Sequence, residues 1–224
     1  ELKAGAEQLH RASWLLVTFG TAYVYSLRET GKVVANCHKL PASLFDRRRV
    51  GVDEMIRGWI PLIERLSDSN PELRIMFTVS PIRHLRDGAH ENQLSKSVLL
   101  LFVDELCRMY PDRCIYFPSY EIVMDELRDY RFYDAGMTHP NEQAIRYIWE
   151  RFSEACFSEE TQTLNREWER LEKALNHRPL TPDKDAFRDF TMQNLFKLKK
   201  IWEKYSYFDL SKEIDSLELF LKTL

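Results

Sequence analysis

The stretch WLLVTFG, residues 14–20, decides the fold. Its residues before the glycine are apolar at both odd and even positions apart from Thr18, a pattern typical of a strand buried in a parallel sheet. Two further short apolar stretches follow at 74–79 and 113–117, and helical patterns separate the three. Strands that alternate with helices predict a three-layer, flavodoxin-like α/β fold in which these stretches pair in parallel.

A β-hairpin is predicted directly after the first strand. Residues 22–27 and 32–36 flank Gly31, which can supply the positive φ of a tight turn. If the turn centres near position 30, paired residue numbers sum to about 60. We therefore expect Asn36 and His38 to return beside Ala22, near the end of the first strand.

The composition limits the classes of protein to consider. The chain has 224 residues, 44% hydrophobic and 30% charged, with a net charge of −3. An acidic balance argues against a general nucleic-acid binder, and no apolar run approaches the length of a membrane span. Four cysteines without a CxxC pair do not suggest a disulfide framework or a zinc knuckle. With no signal-peptide pattern, a cytoplasmic location is expected.

The chain divides near position 157. Residues 1–157 carry the α/β pattern, whereas residues 158–224 carry helical patterns without a predicted strand, with a helix start at Thr181-Pro182-Asp183. We expect the aromatic side chains of this helical appendage, such as Trp168 and Phe187, to cap the core of the α/β domain. A partner-binding surface is the alternative.

Ligands of open α/β sheets bind outside the carboxyl ends of the strands. Polar segments follow all three predicted strands, and a polar loop at 130–140 ends in Thr138-His139-Pro140. The segments after the strands are Gly20-Thr21, Ser80-Pro81-Ile82-Arg83-His84 and Pro118-Ser119-Tyr120-Glu121.

The residue types in these segments suggest specific roles. His139, just before a helix-opening proline, is suited to act as a general base, or alternatively bonds to its own loop. Ser80 precedes a proline and has no glycine elbow around it, which favours a structural serine over a nucleophile. Arg83 and His84 could bind an anionic substrate group, or form ion pairs instead.

The residue types at His84, Asp87, His90 and Glu91 raise the question of a metal site. Imidazole and carboxylate suit zinc or manganese, but Gly88 makes this stretch a poor helix and no HExxH pattern is present. The sequence therefore predicts no metal here, and no cofactor.

Several distinctive strings carry a family resemblance. In order along residues 13–180, they resemble the GSCFA family, a bacterial group within the SGNH/GDSL hydrolase clan. This resemblance implies a flavodoxin-like sheet and hydrolysis of an ester, with a small-molecule or acyl-carbohydrate substrate. The strings are TFGTAYVY (18–25), VANCHK (34–39), TVSPIRH (78–84), ENQLSKS (91–97), YFPSYE (116–121) and DELRDYRFY (125–133).

The resemblance assigns roles by motif. Gly20-Thr21-Ala22 is similar to the clan's block with an oxyanion-stabilising asparagine, where this chain has Ala22. The expected hairpin offers Asn36 as a substitute. Thr138-His139-Pro140 resembles the block with the catalytic histidine. Gly136 stands where that block has its orienting aspartate, so Asp134 is the expected orienter of His139.

The string Gly-Ser-Cys-Phe-Ala, which gives the family its name and aligns with the clan's nucleophile, does not occur in these 224 residues. We therefore expect a domain that lacks its first strand, a nucleophilic serine or cysteine outside this sequence, and no hydrolysis by these residues alone. The alternative function is a non-catalytic ligand- or carbohydrate-binding protein on the same fold, which Ala22 and Gly136 favour.

Overall fold

A computed structural model describes residues 2–37, 39–176 and 184–223. The chain forms two compact units, residues 1–150 and 151–224. A short π-helical turn at Ile122–Glu126 follows the fourth helix of the first unit. The main elements that begin in this unit are α1 (Leu2–Arg11), β1 (Trp14–Phe19), β2 (Tyr23–Leu27), β3 (Val33–Val34), β4 (Phe45–Arg49), α2 (Val52–Ser69), β5 (Arg74–Val79), α3 (Ala89–Met109), β6 (Cys114–Tyr116), α4 (Ser119–Glu121) and α5 (Glu142–Cys156).

Strands β1, β5 and β6 form the expected parallel sheet. The strand order is β1-β5-β6, and the register runs from Trp14 opposite Arg74 to Phe19 opposite Val79. Cys114 lies opposite Ile75 on the other side of β5. The α/β prediction with parallel pairing is confirmed, and helices flank the sheet.

The main hydrophobic core lies where α2 and α3 pack against the sheet. The rings of Phe19, Trp59, Phe77 and Phe102 pack with centroids 5.2–6.0 Å apart, mostly edge to face. Aromatic contacts of this geometry stabilise a core beyond the area that they bury. This cluster fixes the position of β1 and β5 relative to α3.

The prediction that β1 is buried on both faces is wrong. Trp14 and Leu16 are 40% and 55% exposed, while Val17 and Phe19 pack into the core. Trp14, Leu16 and Thr18 share the exposed face of β1, which lies at the edge of the described sheet, while the alternate residues are partly buried. The apolar pattern identified the strand but not its place in the sheet.

The predicted hairpin is part of a second, antiparallel sheet with the order β3-β2-β4. Tyr25 pairs with Val34, and Gly31 has a φ of 65°, so the predicted turn and register are confirmed. Strand β4 was not predicted, because its run of three arginines resembles a solvated loop. Arg47 and Arg49 lie opposite Tyr25 and Tyr23 of β2, and Arg47 packs over the ring of Tyr23 at 3.9 Å.

The second unit contains α6 (Glu159–Leu175), α7 (Lys184–Lys204) and α8 (Ser211–Thr223). It has a hydrophobic core of its own, in which Leu198 and Tyr205 are buried and Trp168 packs against Phe208 at 5.1 Å. Trp168 therefore contributes to the core of the second unit, and that the aromatic side chains of this region cap the α/β core stays a prediction. The predicted helix start at 181–183 lies outside the described residues. Across the helices that the structure describes, none is both long and apolar enough to cross a membrane.

Candidate functional site

The segments that follow β1 and β5 meet at the carboxyl edge of the parallel sheet. Ser80 N–H donates to the carbonyl of Phe19 at 2.9 Å. The ammonium of Lys96, on α3, donates to the carbonyls of Gly20 and Ser80 at 2.6 and 2.5 Å. The buried side chain of Lys96 therefore joins the carboxyl ends of β1 and β5.

Lys96 is a buried cation in an unusual setting. It is 1% exposed, and its hydrogen-bond acceptors are neutral carbonyls rather than a carboxylate. Burial without a counter-ion disfavours the charged form, and it lowers the pKa of Lys96 to about 8. The floor of this edge thus holds a positive charge at neutral pH.

Three polar residues on one face of α3 hold the strand-end segments. Asn92, Ser95 and Lys96 are spaced i, i+3 and i+4, which places them together on a helix. Asn92 Oδ1 accepts from the backbone N–H of His84 at 2.9 Å. These three residues lie in the string ENQLSKS (91–97), which carries part of the family resemblance, but their contacts with the strand ends were not predicted. The signal was polar residues at helical spacing within an apolar helix.

Ser95 holds the backbone of the segment that follows β1. Its hydroxyl accepts from the N–H of Ala22 at 2.7 Å and lies 3.1 Å from Thr21 Oγ1. Ala22 is 2% exposed and belongs to the main core. Position 22, which the family resemblance compares with an oxyanion-stabilising asparagine, is therefore buried and has no side-chain donor.

The pairing that was expected to bring Asn36 beside Ala22 does not extend that far. Strand β3 ends at Val34, so its pairing with β2 stops before Tyr23, the residue that the register would place opposite Asn36. The predicted strand pairing at Asn36 is wrong because the pairing of β2 with β3 covers only Tyr25 with Val34 and Ser26 with Val33. His38, expected next to Asn36, lies outside the described residues.

His84 lies against the end of β1. Its Nε2 is 3.5 Å from the point where a Cβ on Gly20 would be, so any larger residue at position 20 would meet this imidazole. Burial, followed by the positive charge of Lys96, lowers the pKa of His84. At neutral pH the His84 ring is therefore uncharged.

Ser80 has a structural environment. It is buried, and its Oγ accepts from the backbone N–H of Ile82 at 3.2 Å while its carbonyl binds Lys96. A hydroxyl that accepts from the amide two residues ahead is a local turn motif. Ser80 helps to shape the segment that carries Arg83 and His84.

The loop at 130–140 joins this edge through a backbone contact. Arg83 N–H donates to the carbonyl of Thr138 at 3.0 Å, which brings His139 alongside the segment after β5. Inside the loop, Asp134 N–H donates to the carbonyl of His139 at 2.8 Å, and Tyr133 bridges to Pro140. The loop is thereby closed at its base, with His139 near its end.

Two side chains approach Nδ1 of His139. Thr138 Oγ1 lies 2.9 Å from it and Asp134 Oδ2 lies 3.6 Å from it. Asp134 is itself oriented, because its Oδ1 accepts from the backbone N–H groups of Thr138 and His139 at 3.4 Å each. The imidazole is 59% exposed, so Nδ1 is contacted by its own loop while the ring remains open to solvent.

Gly136 explains how Asp134 reaches this position. A Cβ at residue 136 would lie 3.4 Å from Asp134 Oδ1 and 3.5 Å from Thr138 Oγ1. The carboxylate of Asp134 thus fills the space beside a residue without a side chain. The structure places the Asp134 carboxylate beside His139, from a position two residues before Gly136.

Arg83 extends beside the same loop. Its guanidinium lies 5.0 Å from the ring centroid of Tyr130 and 4.4 Å from that of Tyr133. Cation–π contacts of this kind hold a guanidinium in place. Arg83 forms no ion pair with an aspartate or glutamate of the described residues.

The side chains considered for a metal site have other partners. Arg47 binds both carboxylate oxygens of Asp87, and Glu91 Oε2 accepts from Arg49 and from the Tyr23 hydroxyl. These arginines come from the unpredicted strand β4. Within the described ranges, no three His, Cys, Asp or Glu residues are grouped to hold a metal ion.

Two family models match the chain. The model of the GSCFA family matches residues 1–152. The model described as GSCFA domain protein, C-terminal domain, matches residues 168–223. No curated protein matches the chain, and no solved structure does.

Proposed function

The chain belongs to the GSCFA family, and on this basis we propose that it is an ester hydrolase of the SGNH/GDSL type with His139 as general base. Its substrate is a small-molecule or carbohydrate ester. The carboxyl edge of the parallel sheet, with Gly20, Ser80 and His84, forms one side of the site, and the loop at 130–140 forms the other.

The arrangement around His139 carries this proposal. Thr138 and Asp134 both face Nδ1, so a proton on Nδ1 has acceptors within the loop. The lone pair then resides on Nε2, the nitrogen that a general base uses in a triad. Asp134 also stabilises the imidazolium that forms when Nε2 takes up a proton, because opposite charges this close favour the ionised pair.

The proton moves through His139 in two steps. Nε2 takes the proton of the nucleophile as its oxygen or sulfur attacks the ester carbonyl carbon. The same proton then passes to the alcohol oxygen as the C–O bond breaks and an acyl-enzyme forms. Water repeats the sequence, with Nε2 removing its proton and returning it to the nucleophile when the acid leaves.

The nucleophile is the serine or cysteine of the string that names the family. That string does not occur in residues 1–224, so we expect the activity from a protein that contains it together with these residues. Lys96 contributes by keeping the ends of β1 and β5 together beneath the reacting groups, and the neutral His84 lines the same edge.

The test is hydrolysis of a short activated ester by the protein from the complete reading frame. Replacing a general base typically costs 10²- to 10⁴-fold in rate, and His139→Ala should lose about that much turnover. His90→Ala is the matched control, because His90 is exposed and outside the site. Unchanged turnover in His139→Ala would remove the histidine from the mechanism.

Asp134 can be tested by a rescue. Asp134→Asn keeps the shape but removes the charge, and we expect turnover to fall less than in His139→Ala, because Thr138 still binds Nδ1. The double variant Asp134→Asn, Gly136→Asp restores a carboxylate at the clan's position. We expect it to recover part of the loss, because position 136 lies within 4 Å of the same oxygens.

A second candidate function is a non-catalytic binding protein on this fold. The burial of Ala22 favours it, since the segment after β1 supplies no amide side chain for an oxyanion. Saturable binding of an ester that the complete protein does not hydrolyse would favour this function over the hydrolase.

A further inference from the structure

We propose that the substrate carries an anionic oxygen group, a carboxylate or a phosphate, and that Arg83 binds it. This inference rests on the proposed function, because it concerns the substrate class of the same site. Arg83 would then be a specificity-determining residue that places the ester beside His139.

The first support is the missing counter-ion. Six arginines of the first unit have a carboxylate partner, whereas Arg83 is among those for which the described residues provide none. Such a guanidinium retains in-plane N–H donors that match the two oxygens of a carboxylate or phosphate. The paired arginines of the first unit are Arg28 with Asp46, Arg47 with Asp87, Arg48 with Glu54, Arg49 with Glu91, Arg108 with Glu105 and Arg131 with Asp129.

The second support is the way in which the guanidinium is held. The rings of Tyr130 and Tyr133 lie within 5.0 Å of it, and a contact through an aromatic face fixes a cation without neutralising it. A partly ordered, uncompensated arginine loses less conformational freedom on binding than a free surface arginine does. The tyrosines therefore prepare Arg83 for an anionic ligand.

The third support is position. The backbone of Arg83 bonds to Thr138, the residue before His139, so an anion on Arg83 lies close to the general base. The buried ammonium of Lys96 adds positive charge beneath the same edge. Asp134 is the one carboxylate in the sequence of the loop at 130–140, and its oxygens are directed to His139 and the loop backbone. The local field therefore favours an anion.

The experiment measures binding, so that it does not depend on turnover. Monomethyl succinate, dimethyl succinate and methyl phosphate are titrated into the complete protein while the imidazole resonances of His84 and His139 are followed by NMR. We expect a charged ester or phosphate to bind at least tenfold more tightly than neutral dimethyl succinate. Arg83→Gln should abolish this preference, since charge-assisted hydrogen bonds contribute on the order of 10- to 100-fold in affinity.

Two further variants test whether the preference for a charged ligand requires the Arg83 guanidinium rather than any nearby positive charge, and a stability measurement tests whether each variant folds. Arg86→Gln removes the same charge three residues away, from a side chain that donates to Tyr25, and should keep the preference. Arg83→Lys retains the charge without the planar fork and should keep only part of it. The thermal midpoint of each variant reports folding, and Arg83→Lys replaces Arg83→Gln as the decisive variant if the latter unfolds.

The outcomes are distinct. A preference for monomethyl succinate identifies the group as a carboxylate, and one for methyl phosphate identifies it as a phosphate. Equal binding of the charged and neutral esters, or a preference that survives in Arg83→Gln, overturns the proposal. Intact preference without any ester turnover would remove the hydrolase but leave the anion site.

Discussion

Thr138 Oγ1 lies 2.9 Å from Nδ1 of His139, so adjacent residues in the sequence form the closest side-chain contact to this imidazole. Asp134 lies further away, at 3.6 Å. The hydroxyl is therefore the nearer group that can accept a proton held on Nδ1, and the carboxylate lies further away. We infer from this arrangement that Thr138 positions the proposed general base.

Thr138→Val removes the hydroxyl and nearly preserves the shape of the side chain. We expect a smaller population of the tautomer protonated at Nδ1, measured from imidazole ¹⁵N chemical shifts, because the closest acceptor is lost. Turnover of the complete protein should fall about fivefold, the value of one hydrogen bond of about 1 kcal/mol. Thr138→Ser, which retains the oxygen, should behave like the wild type. An unchanged tautomer population in Thr138→Val would exclude the positioning role.

Ser95→Ala should destabilise the first unit. The N–H of Ala22 is buried and donates to Ser95 Oγ at 2.7 Å, and an unsatisfied buried amide costs about 1–3 kcal/mol. The free energy of unfolding in urea measures this loss. Ser97→Ala is the matched control on the same helix, since Ser97 bonds only to the carbonyl four residues earlier. Equal losses in the two variants would contradict the role assigned to Ser95.

Lys96→Met should change how stability depends on pH. The folded protein binds the Lys96 proton less tightly than the unfolded chain does, with a pKa of about 8 against an ordinary 10.5. Between these pH values unfolding takes up a proton, so the contribution of Lys96 to the unfolding free energy rises with pH, by about 3 kcal/mol in total. Below about pH 8 that contribution is constant, because both states are protonated.

The measurement is the difference in unfolding free energy between wild type and Lys96→Met at several pH values from 7 to 10. We expect this difference to grow in favour of the wild type as the pH rises. Lys32→Met, at an exposed lysine of the hairpin, should give a difference that does not vary over this range. A flat difference for Lys96→Met would show that the ammonium is not desolvated.

Asp87→Asn should weaken the attachment of β4. Arg47 binds both oxygens of Asp87 and lowers the pKa of that carboxyl, so the pair stabilises the fold above pH 4 and is lost as the pH falls through the folded pKa. At neutral pH we expect a loss of about 1–3 kcal/mol in unfolding free energy, shrinking in acid. Asp46→Asn breaks an exposed pair with Arg28 and should cost under about 1 kcal/mol.

The parallel sheet could be predicted from the sequence because a short apolar run between helical patterns has few other places in a fold. The strands predicted at 14–19 and 74–79 coincide with β1 and β5 of the structure. The exposure of Leu16 could not be predicted, since apolarity does not tell an edge strand from a central one. Strand β4 was missed because its arginines are stabilised by the tyrosines of β2 and by distant carboxylates, which a local pattern does not contain.

The candidate site was predictable to a similar depth. His139, Asp134 and the segments with Gly20 and Ser80 follow from strand ends and from the family resemblance, and the structure brings them to one edge. The roles of Ser95 and Lys96 depend on contacts across more than 15 positions, which spacing within a helix does not reveal. The predicted pairing of Asn36 was wrong because β3 ends at Val34, earlier than its sequence pattern indicates.

The face of α3 that carries Asn92, Ser95 and Lys96 also determines which half of the site can move. Their hydrogen bonds couple the segments after β1 and β5 to a helix that unfolds only with the core, so amide exchange at Ala22 should report global rather than local opening. The loop with His139 has no such anchor on α3 among the described contacts and bears an exposed imidazole. We therefore expect the proposed general base to be less restrained than the segments after β1 and β5, and its ordering on ligand binding to add an entropic cost.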